Sequence, residues 1–108
     1  MKFSLVALFS LPAALAAPQV GAPIPSKACA CANEFGGQIV NIWCQYQIGA
    51  ITNIDGEDWC FPATTYAPEM PTRFNDELCP QVFPGYTTGV CRDINLCSTG
   101  YGDVLQVC

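Results

Sequence analysis

The sequence predicts a small disulfide-rich domain of mixed α and β structure, and three observations predict it. Eight cysteines, an even number, fall in a short chain behind an apolar leader. An Asp55-Gly56 step stands between two stretches of alternating apolar residues. Thr72, Phe74 and Leu78 are spaced as a capped helical turn that Pro80 would end.

Lys2 and the apolar run from Phe3 to Leu11, closed by Pro12, have the form of a secretory signal, and Ala14-Leu15-Ala16 supplies the small residues of a cleavage site. We therefore assign 1–16 as a signal peptide. The run is too short and too broken to span a bilayer, which needs about 18 or more apolar residues. Stable membrane insertion is not expected. Removing sixteen residues from 108 leaves 92, enough for one domain. Such a domain buries only a modest apolar core and needs covalent support.

Cys29, Cys31, Cys44, Cys60, Cys79, Cys91, Cys97 and Cys108 provide that support. An exported chain meets an oxidising environment in which thiols pair. Zinc is the competing use of cysteine, but there are no C-x-x-C pairs and no histidine. No metal or other cofactor is expected. Eight cysteines admit about 105 pairings, and the sequence does not choose among them.

Ala17 to Ala28 holds three prolines and few large apolar side chains, and reads as an extended N-terminal tether over 17–28. The single domain then spans 29–108. Cys29 and Cys31, with a single residue between them, cannot readily bond each other, so each is expected to reach a separate partner. Gln38 to Ile48 satisfies helical spacing and strand alternation equally, and the residues alone leave it open. Asp55-Gly56 predicts a hairpin over 50–61. Phe61 to Pro71 reads as loop, and a short helix is expected over 72–79. Three short, β-rich segments ending in Cys91, Cys97 and Cys108 follow, the last cysteine pinning the C-terminus.

Cys29-Ala-Cys31-Ala-Asn33, Gly36-Gly37, Cys44, Gly49-Ala50, Cys60 and Phe74 to Cys79 form a pattern. It resembles that of small secreted cysteine-rich proteins of filamentous fungi, many of them effector candidates. The resemblance implies a helix over 37–48, giving an α+β fold with an all-β fold as the alternative. It implies no biochemical activity. Single Cys44 and Cys79 stand where related sequences often carry adjacent pairs, so no pairing is taken from it.

Without histidine, Ser-His-Asp and Cys-His nucleophilic sites are excluded, as is H-E-x-x-H metal hydrolysis. The carboxylates Asp55, Glu57, Asp58, Asp76 and Glu77 read as solvated turn and surface charges, because a domain of this size rarely forms a deep cleft between two acids. Asn53 to Asp58 lacks calcium-loop spacing. No catalytic residue is assigned, and the chain is expected not to be an enzyme.

Beyond the leader, Lys27, Arg73 and Arg92 face nine acids, a net charge of −6. Nucleic acid is therefore excluded as a partner. Trp43 and Trp59 are expected in the core. Tyr66, Tyr86 and Tyr101 are the candidate contact surface. Thr64, Thr65, Thr87 and Thr88 are candidate O-glycan acceptors on composition alone. The sequence thus points to a secreted interaction protein that binds an extracellular or host protein without catalysis. Recognition of cell-wall polysaccharide and inhibition of a secreted hydrolase are the alternatives.

Overall fold

Ala-Cys-Ala-Cys at residues 28–31 is a run of small side chains, and small side chains allow a strand to be covered closely on both faces. In the protein's structure, a computed structural model that describes residues 22–108, all four are fully buried. The expected signal peptide at 1–16 and the first five residues of the tether expected over 17–28 lie outside the described residues. The buried run is the centre of β1, Ile24–Ala32. This strand starts four residues before the expected end of the tether at Ala28. The reason is its partner, β5 (Thr88–Ser98), which pairs antiparallel with every residue of β1, from Ile24 opposite Leu96 to Ala32 opposite Thr88.

Cys29 and Cys31 do reach separate partners, Cys91 and Cys79. Two residues apart in a strand, they leave the same face of β1. Cys44 bonds Cys60, Cys97 bonds Cys108, and no cysteine is free. Four disulfides in a chain of this size are typical of extracellular proteins.

The hairpin is present as β3 (Gly49–Ile54) and β4 (Glu57–Pro62), registered from Gly49 opposite Pro62 to Ile54 opposite Glu57. Asp55 and Gly56 both take positive φ, 56° and 87°, which is the two-residue turn whose twist suits a hairpin. Before it, the segment 37–48 is divided. Gln38–Ile39 form β2 against β1, and the expected helix contracts to α1, Asn41–Tyr46, which carries buried Cys44 to its bond with Cys60. Strand pairing takes only the first two residues of that segment, and the residues whose alternation suggested a strand, Val40 to Ile48, lie in or beside the short helix.

The helix expected over 72–79 is not formed. Met70–Thr72 make a single 3-10 turn, and α2 covers Cys79–Val82. Thr72 Oγ1 donates back to the Glu69 carbonyl at 2.6 Å, so it does not cap a helix that follows it. Asn75 Oδ1 accepts from the Glu77 and Leu78 amides at 3.1 and 2.9 Å, turning the chain instead. Pro80 lies in the first turn of α2, where its missing N–H is harmless, so it opens a helix and does not close one. The segments ending in Cys91 and Cys97 fuse into the eleven-residue β5. β6, Leu105–Val107, pairs with its end, and the Cys108 amide donates to the Asn95 carbonyl.

The sheet runs β3-β4-β1-β5-β6 and rolls until it almost closes. Past Pro62 the chain leaves β1 and meets β6: Leu105 N donates to the Ala63 carbonyl at 2.8 Å and Thr65 N to the Asp103 carbonyl at 3.0 Å. Met70, Phe74, Leu96 and Leu105 are buried in the core with Trp59, while Trp43 is half-buried against it and donates Nε1 to the Arg73 carbonyl. The fold is therefore mainly β with two short helices, nearer the all-β alternative than the expected α+β class.

Candidate functional site

The near-closure of the sheet leaves a gap, and one proline explains where. β4 pairs with β1 at a single position, Cys60 opposite Cys29. Two residues further along these antiparallel strands Pro62 falls opposite Lys27, and proline has no N–H to offer the Lys27 carbonyl. The strands part there. Between the first half of β1 and the loop 62–71 lies a groove of about 500 Å³.

Its walls are unusual in their backbone chemistry. Cys29 and Cys91 sit directly opposite with their Cα atoms 4.0 Å apart, the closer spacing that marks a non-hydrogen-bonded pair. By alternation, the peptide groups of Pro25 and Lys27 then face away from β5, toward the groove. On the other wall, the Ala63 carbonyl and the Thr65 N–H bond β6 on either side of the Thr64–Val104 bridge, and the Ala63 N–H donates to the Ile48 carbonyl on that same side, so by alternation the peptide groups of Thr64 face β1. The Thr64 carbonyl accepts from Ala67 N at 3.3 Å, whereas its N–H has no partner among the described residues. Thr64 Oγ1 is buried and also unpartnered, which removes it as a glycan acceptor in the folded chain. Met70, Leu96 and Leu105 give the groove an apolar floor.

Charge surrounds it unevenly. Lys27 Nζ donates to Asp93 Oδ1, directly across the β1–β5 pair. The hydrogen bond from Lys27 and then its positive charge hold the Asp93 carboxyl below its ordinary value of 3.8. A lowered folded-state value means that the ion pair's contribution is present above 3.8 and is lost as pH falls through the lowered value. We expect the Asp93 carboxyl to titrate below 3.8 by NMR and to return toward 3.8 in Lys27→Gln. The stability difference between the two proteins should close on acidification; an unshifted Asp93 would refute the pair. Arg92 lies 3.6 Å from Asp55 and 5.6 Å from the centre of the Trp59 ring. Glu69, in the groove wall, has no cationic partner among the described residues.

Two of the remaining carboxylates are engaged in local structure. Asp58 Oδ1 accepts from Asn53, and Asp76 Oδ1 accepts from the Gly89 amide at 2.9 Å. Among the described residues no group of three or more histidine, cysteine, aspartate or glutamate side chains is placed to hold a metal ion. No described helix is long and apolar enough to cross a membrane.

The three tyrosines do not form one surface. Tyr66 and Tyr101 are exposed, on loops joined by the Thr65–Asp103 and Thr64–Val104 contacts. Tyr86 is half-buried, its ring edge-on to Phe83 at 6.4 Å, and precedes β5 while Tyr101 follows it. A strand of that length separates them by roughly 30 Å. The groove itself escaped the sequence reading, since it joins residues 24–27 to 62–71; the only local signal is a proline ending the second hairpin strand. Comparison with known proteins gives no match to a family, a curated protein or a solved structure.

Proposed function

We propose that the protein is a secreted, disulfide-stabilised interaction protein, effector-like in kind, that binds an extracellular or host protein without catalysis. The observation that carries this reading is the cross-linked frame around an open groove: β1 is bonded through Cys29 and Cys31 to two separate segments, and the groove lies along the same strand. Pre-ordered walls lower the entropy cost of binding, and the cross-links limit the opening on which extracellular proteases depend. The absence of histidine from the sequence agrees with binding in preference to acid–base chemistry.

The oxidised mature protein, immobilised and exposed to extracellular host fluid, should retain a small set of proteins that its reduced and alkylated form does not. A hydrolase in that set, blocked by the protein, would place inhibition as the outcome of binding. Failure to retain any protein would end the reading, as would turnover that disappears in Asp58→Asn or Glu77→Gln.

Exposure of Tyr66 and Tyr101 on joined loops favours a second reading, cell-wall polysaccharide binding. It requires retention on insoluble chitin or glucan that weakens in Tyr66→Ala and Tyr101→Ala.

A further inference from the structure

The groove has the chemistry of a missing strand. On the β1 side stand the Pro25 carbonyl and the carbonyl and N–H of Lys27, whose register partner Pro62 has no N–H to offer. On the other stands the Thr64 N–H, without a partner among the described residues. Unpaired acceptors and donors facing one another across the groove are what an extended peptide satisfies with its own alternating N–H and C=O groups. The floor of Met70, Leu96 and Leu105 would take one apolar side chain of such a strand, because successive side chains point to opposite faces.

We propose that the groove binds an extended segment of a partner protein by strand addition between β1 and residues 63–65, and that this segment carries a lysine or arginine opposite Glu69. The inference rests on the interaction reading above and names the kind of partner. The charge requirement follows from the wall itself. Lys27 is already engaged by Asp93, Glu69 is unpaired among the described residues, and nine acids face three bases outside the leader. A cationic side chain therefore gains in the groove and an anionic one is repelled. Pro25 also fits this role: it leaves the edge of β1 without one donor, which discourages indiscriminate pairing while the carbonyls remain available.

The probe is a random decapeptide library displayed on phage, selected on the oxidised full domain with reduced and alkylated protein as the control. Enriched peptides should alternate apolar residues with lysine or arginine. Their binding should protect the Thr64 and Lys27 amides from exchange in NMR spectra. N-methylation of the central peptide amide should weaken binding by about tenfold, the scale of one lost backbone hydrogen bond. Selection on Glu69→Lys, an exposed position whose replacement leaves the core untouched, should enrich acidic peptides instead.

Enrichment no greater than on the alkylated control overturns the proposal. So does protection confined to the Asp55-Gly56 hairpin or the Tyr101 loop, or an unchanged charge preference with Glu69→Lys. In each of these cases a partner retained from host fluid would leave the interaction reading standing and move it to another surface.

Discussion

Replacing Cys31 and Cys79 together by alanine should lower the free energy of unfolding by about 4 kcal/mol, more than replacing Cys29 and Cys91, which should cost about 3. Loop length alone ranks them the other way, since the bridges close separations of 48 and 62 residues. The two bridges are nested, however. With either one intact, the ends of the other are already linked through a path of sixteen residues, 29–31 with 79–91. The entropic contribution of each is therefore that of a short loop, about 3 kcal/mol. Burial then separates them. Cys31 and Cys79 are both fully buried, so their removal also leaves unfilled core volume, whereas Cys91 is exposed. Because each bridge covers for the other, removing both should cost more than the two single losses added, and leave a chain that does not fold at a typical stability of about 5–15 kcal/mol. Urea unfolding of the three variants decides it. A larger loss for Cys29 and Cys91 would mean that loop length, and not burial, governs this frame.

Features specified by neighbours in sequence were legible, and those specified by distant partners were not. Asp55-Gly56 encodes its turn locally, so the hairpin was readable almost to its ends. The proline content up to Ala28 has the composition of a tether, yet proline is tolerated at a strand edge, and the partner that makes Ile24 to Ala28 a strand lies far along the chain, at Arg92 to Leu96. Pro80 carried two meanings, the end of one helix or the first turn of another, and only the Cys31–Cys79 bond and the Asn75 turn select the second. The cysteines announced a frame without its connectivity. Tyr66 and Tyr101 were readable as exposed aromatics, yet their joining depends on β6, and the separation of Tyr86 from them depends on the length of β5. The groove has no sequence signature of its own because it exists only where β4 leaves β1 for β6.

Gly89→Ala should destabilise the domain by about 3 kcal/mol, the upper end of ordinary overpacking, even though Gly89 sits in a strand where alanine is otherwise tolerated. Gly89 lies opposite Cys31, beneath the segment that crosses the sheet. A Cβ there would overlap Asn75 Cα and the Phe74 carbonyl oxygen and come within 2.7 Å of Asn75 N. These are backbone atoms, so no change of rotamer relieves the contact. The crossing segment must lift, and it carries buried Phe74, buried Met70 and the Asp76 carboxylate that accepts from the Gly89 amide. Gly100→Ala is the control: it meets no atom within 4 Å, but φ is +88°, so its cost is backbone strain alone, roughly 1–2 kcal/mol. Denaturant unfolding should separate the two, and near-ultraviolet circular dichroism should report altered aromatic packing only for Gly89→Ala. Equal losses would show that the crossing segment yields freely. In that case the Met70 floor of the groove would be compliant, and the strand-shaped site would have to form on binding and not before it.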